Sequence, residues 1–150
     1  MQYTLVVVDM QPDFLASLAC KEQVKKEVRK AVRSNNPIIF LEYKDDLGYY
    51  KYKPTYKDLV PVGYDKVIKS KKTEDSGARN VVIHLNKKKL PKKLKVCGVN
   101  TQYCVFETVS NLIRFNKLDV TVVAKACNCE NKNSHERAIT WMKQSGANIS

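Results

Sequence analysis

Glycine and proline are scarce, five of each in 150 residues, which leaves neither a low-complexity linker nor a collagen-like repeat as a reading. No segment repeats internally, and no apolar run approaches the length of a membrane span. The chain opens on Met1-Gln2-Tyr3 and runs at once into a strand-like stretch. It lacks the basic segment and long apolar run of a secretory signal. Histidine is rarer still, with only His84 and His135. Cys127-Asn128-Cys129 is therefore short of the further ligands that a zinc site requires, and no metal or cofactor is expected. Nor is there a glycine-rich phosphate loop, a zinc finger or an aromatic RNA-binding signature. The cysteines, Cys20, Cys97, Cys104, Cys127 and Cys129, are odd in number and irregular in spacing. That pattern argues against a disulfide framework, and a reducing cytoplasm is the expected location.

What is present is an ordinary globular composition, 43% hydrophobic, in a length suited to a single domain over 1–150. The formal charge is +12. Lysines cluster at Lys25-Lys26, Lys71-Lys72, Lys87-Lys88-Lys89 and Lys92-Lys93. Such a field attracts anions. No run reaches the length of a basic tail, so the charge reads as a lysine-rich surface. Neither nucleic acid nor a membrane is expected as a partner.

Apolar periodicity gives the order of elements. Thr4-Leu5-Val6-Val7-Val8 is a continuous β-branched run, the mark of a strand buried on both faces. Val24, Val28, Ala31 and Val32 share one face of a helix over 21–34, which Asn35-Asn36-Pro37 ends. Ile38-Ile39-Phe40-Leu41 is a second strand, and 43–63 reads as irregular. A short strand is expected at Lys66-Val67-Ile68. The stretch 81–85 is ambiguous between strand and helix, and 95–99 is a strand. A helix follows over 101–115, then a strand over 119–124. A last helix is capped by Ser134 and stopped by Gly146, and a short strand closes the chain at 147–149. This alternation predicts an α/β fold, a doubly wound and mostly parallel sheet in three αβα layers, Rossmann-like. In such sheets ligands bind beyond the carboxyl ends of the strands.

Three residues stand there. Asp9 follows the first strand, where desolvation lifts a carboxyl toward a useful base. Lys69 follows the short strand over 66–68. Cys104 lies in the first turn of the helix after 95–99, where free N–H groups and the helix dipole favour a thiolate and can hold an oxyanion.

These three positions fall within a shared pattern. Val6-Val7-Val8-Asp9-Met10-Gln11-Pro12-Asp13-Phe14 resembles the opening motif of the isochorismatase-like cysteine hydrolases, apolar residues followed by D-x-Q-x-D/N-F. Cys97-Gly98-Val99-Asn100-Thr101-Gln102-Tyr103-Cys104-Val105 resembles their nucleophile motif, G-V-x-T-x-x-C-V. Val67-Ile68-Lys69 with Thr73 and Ser76-Gly77 is similar to the lysine segment, in which Lys66, Lys71 or Lys72 are alternatives to Lys69. His135, Ala138-Ile139, Met142 and Gly146-Ala147 fit the last helix and strand. The resemblance spans nearly the whole chain in the correct order.

The resemblance implies the isochorismatase-like fold and a catalytic triad of Asp9, Lys69 and Cys104. Asp9 takes the proton from Cys104, and the thiolate attacks an amide- or carbamoyl-type carbonyl of a small molecule. An amine leaves, and water cleaves the thioester. Lys69 aligns the charged dyad. Backbone N–H groups of Asn100 and Cys104 hold the oxyanion, next to a cis peptide between Val99 and Asn100. Phe14 and the tyrosines of 49–56 are candidates to line the pocket. Homo-oligomers, dimers or tetramers, are common in the family. The chain also departs from relatives. Nicotinamidases carry an Asp and two His for a metal after the second strand, whereas Glu42-Tyr43-Lys44-Asp45-Asp46-Leu47-Gly48 has no histidine. Lys125-Ala126 stands where members often have Asp-Ala, and the chain is shorter than typical members before the lysine. A competing reading keeps the fold but makes it a non-catalytic binding module for an anionic ligand or nucleic acid.

Overall fold

The structure, a computed structural model, describes residues 1–45 and 47–150. Asp46, within the histidine-free stretch 42–48, lies outside the described residues. The first strand, β1 (Thr4–Val8), is buried at every residue, as a β-branched run without a polar face requires. It pairs with β2 (Ile38–Tyr43) along one edge and β4 (Lys93–Val99) along the other. Beyond β2 lies β3 (Val67–Lys72), and beyond β4 lie β5 (Asp119–Asn128) and β6 (Asn148–Ile149). The order is β3-β2-β1-β4-β5-β6, and all five pairings are parallel. The expected doubly wound sheet is present.

Helices α1 (Ser17–Arg33), α2 (Ala78–Lys88), α3 (Phe106–Arg114) and α4 (Lys132–Gln144) flank the sheet. α1 starts earlier than its charged pattern predicts, because Ser17 and Cys20 already lie on the buried face that continues through Val24, Val28 and Ala31. The ambiguous stretch 81–85 is helical: Val81 and Leu85, four apart, are the residues that α2 buries there. α4 is capped by Asn131, whose side chain accepts from Ser134 N at 3.1 Å, so Ser134 is inside the helix rather than its cap.

Strand order reverses between β1 and β4. The chain runs outward from β1 through β2 and β3, then returns to start the other half at β4. The carboxyl ends of these two central strands frame the crevice where doubly wound sheets bind ligands. Gly98 lets them close up. Its φ is +124°, and a Cβ there would collide with the Val8 carbonyl oxygen and stand 2.6 Å from Val8 N. Only glycine fits this approach of β4 to β1.

Candidate active site

Asp9 is the first residue past β1. It takes a left-handed conformation, φ +50°, which aspartate tolerates better than most residues. Its N–H donates to Leu41 O at 3.0 Å and its carbonyl accepts from Gln11 N at 2.8 Å. The bend turns the side chain inward, where the residue is 1% exposed.

The lysine that meets it is Lys72. Its Nζ lies 2.9 Å from Asp9 Oδ2 and also donates to the carbonyls of Glu74 at 3.0 Å and Asp75 at 3.1 Å. Every ammonium proton has an acceptor, as a buried charge requires. Lys69, the residue expected from the sequence, is exposed and not part of this group. The correction has a plain cause. β3 runs on to Lys72 instead of stopping at Ile68. Side chains alternate along a strand, so Ser70 and Lys72 are buried while Lys69 and Lys71 are exposed. Lys66 is at the far end of β3, where its Nζ donates to Asn35 O at 3.1 Å.

Cys104 sits past the end of β4. The peptide between Val99 and Asn100 is cis. The following residues, Thr101–Val105, form a π-helical turn that leads into α3. Such turns occur often at functional sites, and no feature of the apolar pattern announced this one. The Asn100 carbonyl accepts from Tyr103 N at 3.0 Å and Val105 N at 3.2 Å. Thr101 Oγ1 is 2.7 Å from His135 Nδ1, so His135 braces the turn from α4. Cys104 is 7% exposed.

The opening motif's other polar residues hold the walls. Gln11 is 1% exposed. Its Nε2 donates to the carbonyls of Tyr43 at 3.0 Å and Lys53 at 2.9 Å, and its Oε1 accepts from Tyr43 N at 2.7 Å. Asp13 accepts from Tyr50 Oη at 3.1 Å and Lys53 N at 2.8 Å. Phe14 stacks on Tyr52 at a centroid distance of 5.6 Å and meets the edge of Tyr43 at 6.1 Å. Tyr43 in turn lies beneath Lys72, with Nζ 4.9 Å from its ring centre. Phe14 thus belongs to an aromatic wall that reaches the ion pair through Tyr43.

Burial raises the Asp9 carboxyl above the ordinary aspartate range, and the Lys72 charge opposes that rise. Burial also pushes the Cys104 thiol up, the Asp9 charge adds to it, and Lys72 again opposes. The sequence predicts the reverse, a thiolate favoured by helix N–H groups. Desolvation and the neighbouring carboxylates oppose that effect. One of those carboxylates has no sequence signal at all: Asp75 Oδ1 lies 3.9 Å from Cys104 Sγ.

A metal of the nicotinamidase kind does not fit these residues. His84 Nε2 is 3.0 Å from Ser70 Oγ and His135 is held by Thr101. Asp45 is taken up by the backbone N–H groups of Leu47 and Tyr50. Among the described residues no three His, Cys, Asp or Glu are grouped to hold an ion.

The fold is that of several solved structures. A nicotinamidase from Bacillus subtilis superposes with a TM-score of 0.85 at 18% identity, over 100% of this chain and 99% of that one. N-carbamoylsarcosine amidase from Thermoplasma acidophilum gives 0.81 at 17% identity, over 100% and 96%. The MAR1 ribonuclease from Caenorhabditis elegans gives 0.83 at 21%, over 99% and 76%. No curated protein matches in sequence. The model of the isochorismatase domain matches residues 3–150. With that match across nearly its whole length, the chain belongs to the isochorismatase family.

Proposed function

We propose that the protein is a cysteine hydrolase that cleaves an amide- or carbamoyl-type C–N bond of a small molecule, with Cys104 as nucleophile, Asp9 as base and Lys72 as the residue that fixes and balances Asp9. Family membership and the amidase folds among its neighbours support a hydrolase acting on C–N bonds other than peptide bonds. The observation that carries the finer reading is the buried Asp9–Lys72 pair, 2.9 Å apart, beside a thiol at the switch point of the sheet.

The proposed reaction uses these groups in turn. Lys72 occupies Asp9 Oδ2, while Oδ1 is buried with no hydrogen-bond donor among the described residues. That free oxygen takes the Cys104 proton as sulfur attacks the carbonyl carbon. Backbone N–H groups of Asn100 and Cys104 hold the oxyanion. Asp9 returns the proton to the leaving nitrogen, and the C–N bond breaks to leave a thioester. Asp9 then takes a proton from water, the hydroxide adds to the thioester, and the thiol and an acid are released. Because burial lifts Asp9 above the ordinary aspartate range, it is a stronger base toward the Cys104 thiol than a solvated carboxylate would be.

We read 1–150 as one domain, working as a homo-oligomer in the cytoplasm. The five free cysteines accord with a reducing compartment. Ammonia release from a panel of small primary amides tests the activity. Wild type should turn over at least one amide, and Cys104→Ala should lower the rate about a thousandfold or more. Equal rates in the two would reject the nucleophile.

A further inference from the structure

Asp75 is the residue in this site that the hydrolytic steps do not use. Its backbone is fixed. Lys72 Nζ holds its carbonyl at 3.1 Å. The next residues are tied to α3 through Asn111 Nδ2 to Ser76 Oγ at 2.9 Å and Gly77 N to Thr108 Oγ1 at 2.9 Å. From this rigid loop the carboxylate reaches Cys104 Sγ at 3.9 Å. Asp75 is exposed while Cys104 is buried, so Asp75 stands on the solvent side of the nucleophile. The carboxylate of Asp9 is compensated by Lys72, whereas no cation is paired with that of Asp75 among the described residues. Across the site lies the aromatic wall, with Tyr43 and Tyr52 ring centres 5.1 Å apart and Tyr50 4.7 Å from Tyr52. Lys72 already lies over the Tyr43 ring and Phe14 stacks on Tyr52, so the attraction for an incoming cation rests on the Asp75 carboxylate.

We infer that Asp75 makes the approach to Cys104 selective for positive charge, so that the substrate of this site is a small amide bearing an ammonium or similar cation near its scissile carbonyl. This rests on Cys104 being the reacting group, as proposed above, and it runs against the net charge of +12, which favours anions. The contact wins because distant lysines are screened within about 8 Å at physiological salt, while Asp75 touches the nucleophile.

The test is independent of hydrolysis. Cys104 is modified with three methanethiosulfonates: the cationic 2-aminoethyl, the anionic 2-sulfonatoethyl and the neutral methyl reagent. Rates at Cys104 are read by peptide mass spectrometry and divided by rates with 2-mercaptoethanol. The ratio of cationic to anionic rates cancels any change in thiol ionisation. Wild type should favour the cation by about tenfold, the scale of one close charge pair at a partly wet site. Asp75→Asn should remove the preference, and Asp75→Glu should keep most of it. A wild-type ratio of one or below, or a ratio unchanged in Asp75→Asn, would overturn the inference. A parallel assay compares 4-aminobutanamide with pentanamide. Charge selectivity without ammonia release from any amide rejects the hydrolase and leaves the cation-selective approach standing. Ammonia release with preference for pentanamide supports the hydrolase and rejects the role of Asp75.

Discussion

Half of a buried ion pair costs more than the whole of it. Asp9 and Lys72 are each about 1% exposed and pair at 2.9 Å. Removing the lysine strands a carboxylate in a dry site, a loss of about 3–5 kcal/mol. Lys72→Met should therefore lower the melting temperature sharply. Lys69→Ala, on an exposed position of the same strand, should stay within about 0.5 kcal/mol of wild type. Thermal melts followed by circular dichroism distinguish them. If Lys69→Ala destabilised as much as Lys72→Met, the assignment of the paired lysine would be wrong.

Among the elements, the segment after β2 depends on one side chain from the end of β1. Gln11 makes three hydrogen bonds to Tyr43 and Lys53. In Gln11→Leu the buried partners lose their bonds, at a cost of about 1–3 kcal/mol. The loop near Lys51 and Lys53 should then be cut faster by trypsin, with the rest of the chain still protected. Unchanged cleavage would show that other contacts hold the loop. Much of this architecture was legible beforehand. β1 and most of β2 are continuous buried runs, β4 and β5 keep apolar cores between polar residues such as Lys95 and Thr121, and Asp9 and Cys104 lie where β1 and β4 end. Apolar patterning ends β3 at Ile68 because Lys69-Ser70-Lys71-Lys72 carries no apolar residue, whereas the strand runs to Lys72. An edge strand needs its neighbour's backbone more than apolar side chains, and β2 supplies it through to the Tyr43↔Lys72 register. Asp75 had no periodic or motif signal, since its place beside Cys104 depends on a loop folded by Lys72. The π turn was hidden because a one-residue widening leaves the apolar spacing of a helix almost unchanged.

At the scale of the molecule, the fold sets two ends of one sheet to different tasks. The carboxyl ends of β1 and β4 carry the groups proposed to react, and lysines spread over the remaining surface produce the +12 charge. If that charge were the working feature, as in a nucleic-acid binding module, binding would fall by orders of magnitude between about 50 and 200 mM salt. Hydrolysis of an uncharged amide should instead change by less than about twofold over that range, because the Debye length is already near 10 Å at 0.1 M. A steep salt dependence together with RNA binding that ignores Cys104→Ala would favour the binding module.

The central claim is that Asp9, Lys72 and Cys104 act as one electrostatic unit. Iodoacetamide alkylation of Cys104, followed by peptide mass spectrometry from pH 5 to 9, tests it most directly. The Asp9 charge raises the thiol and the Lys72 charge lowers it. Asp9→Asn should therefore move the alkylation profile to lower pH while abolishing hydrolysis, because the thiol ionises more readily but its base is lost. Lys72→Met should move the profile to higher pH, and Lys69→Ala should leave it in place. Superimposable profiles for wild type, Asp9→Asn and Lys72→Met, or a shift in Lys69→Ala alone, would contradict the account.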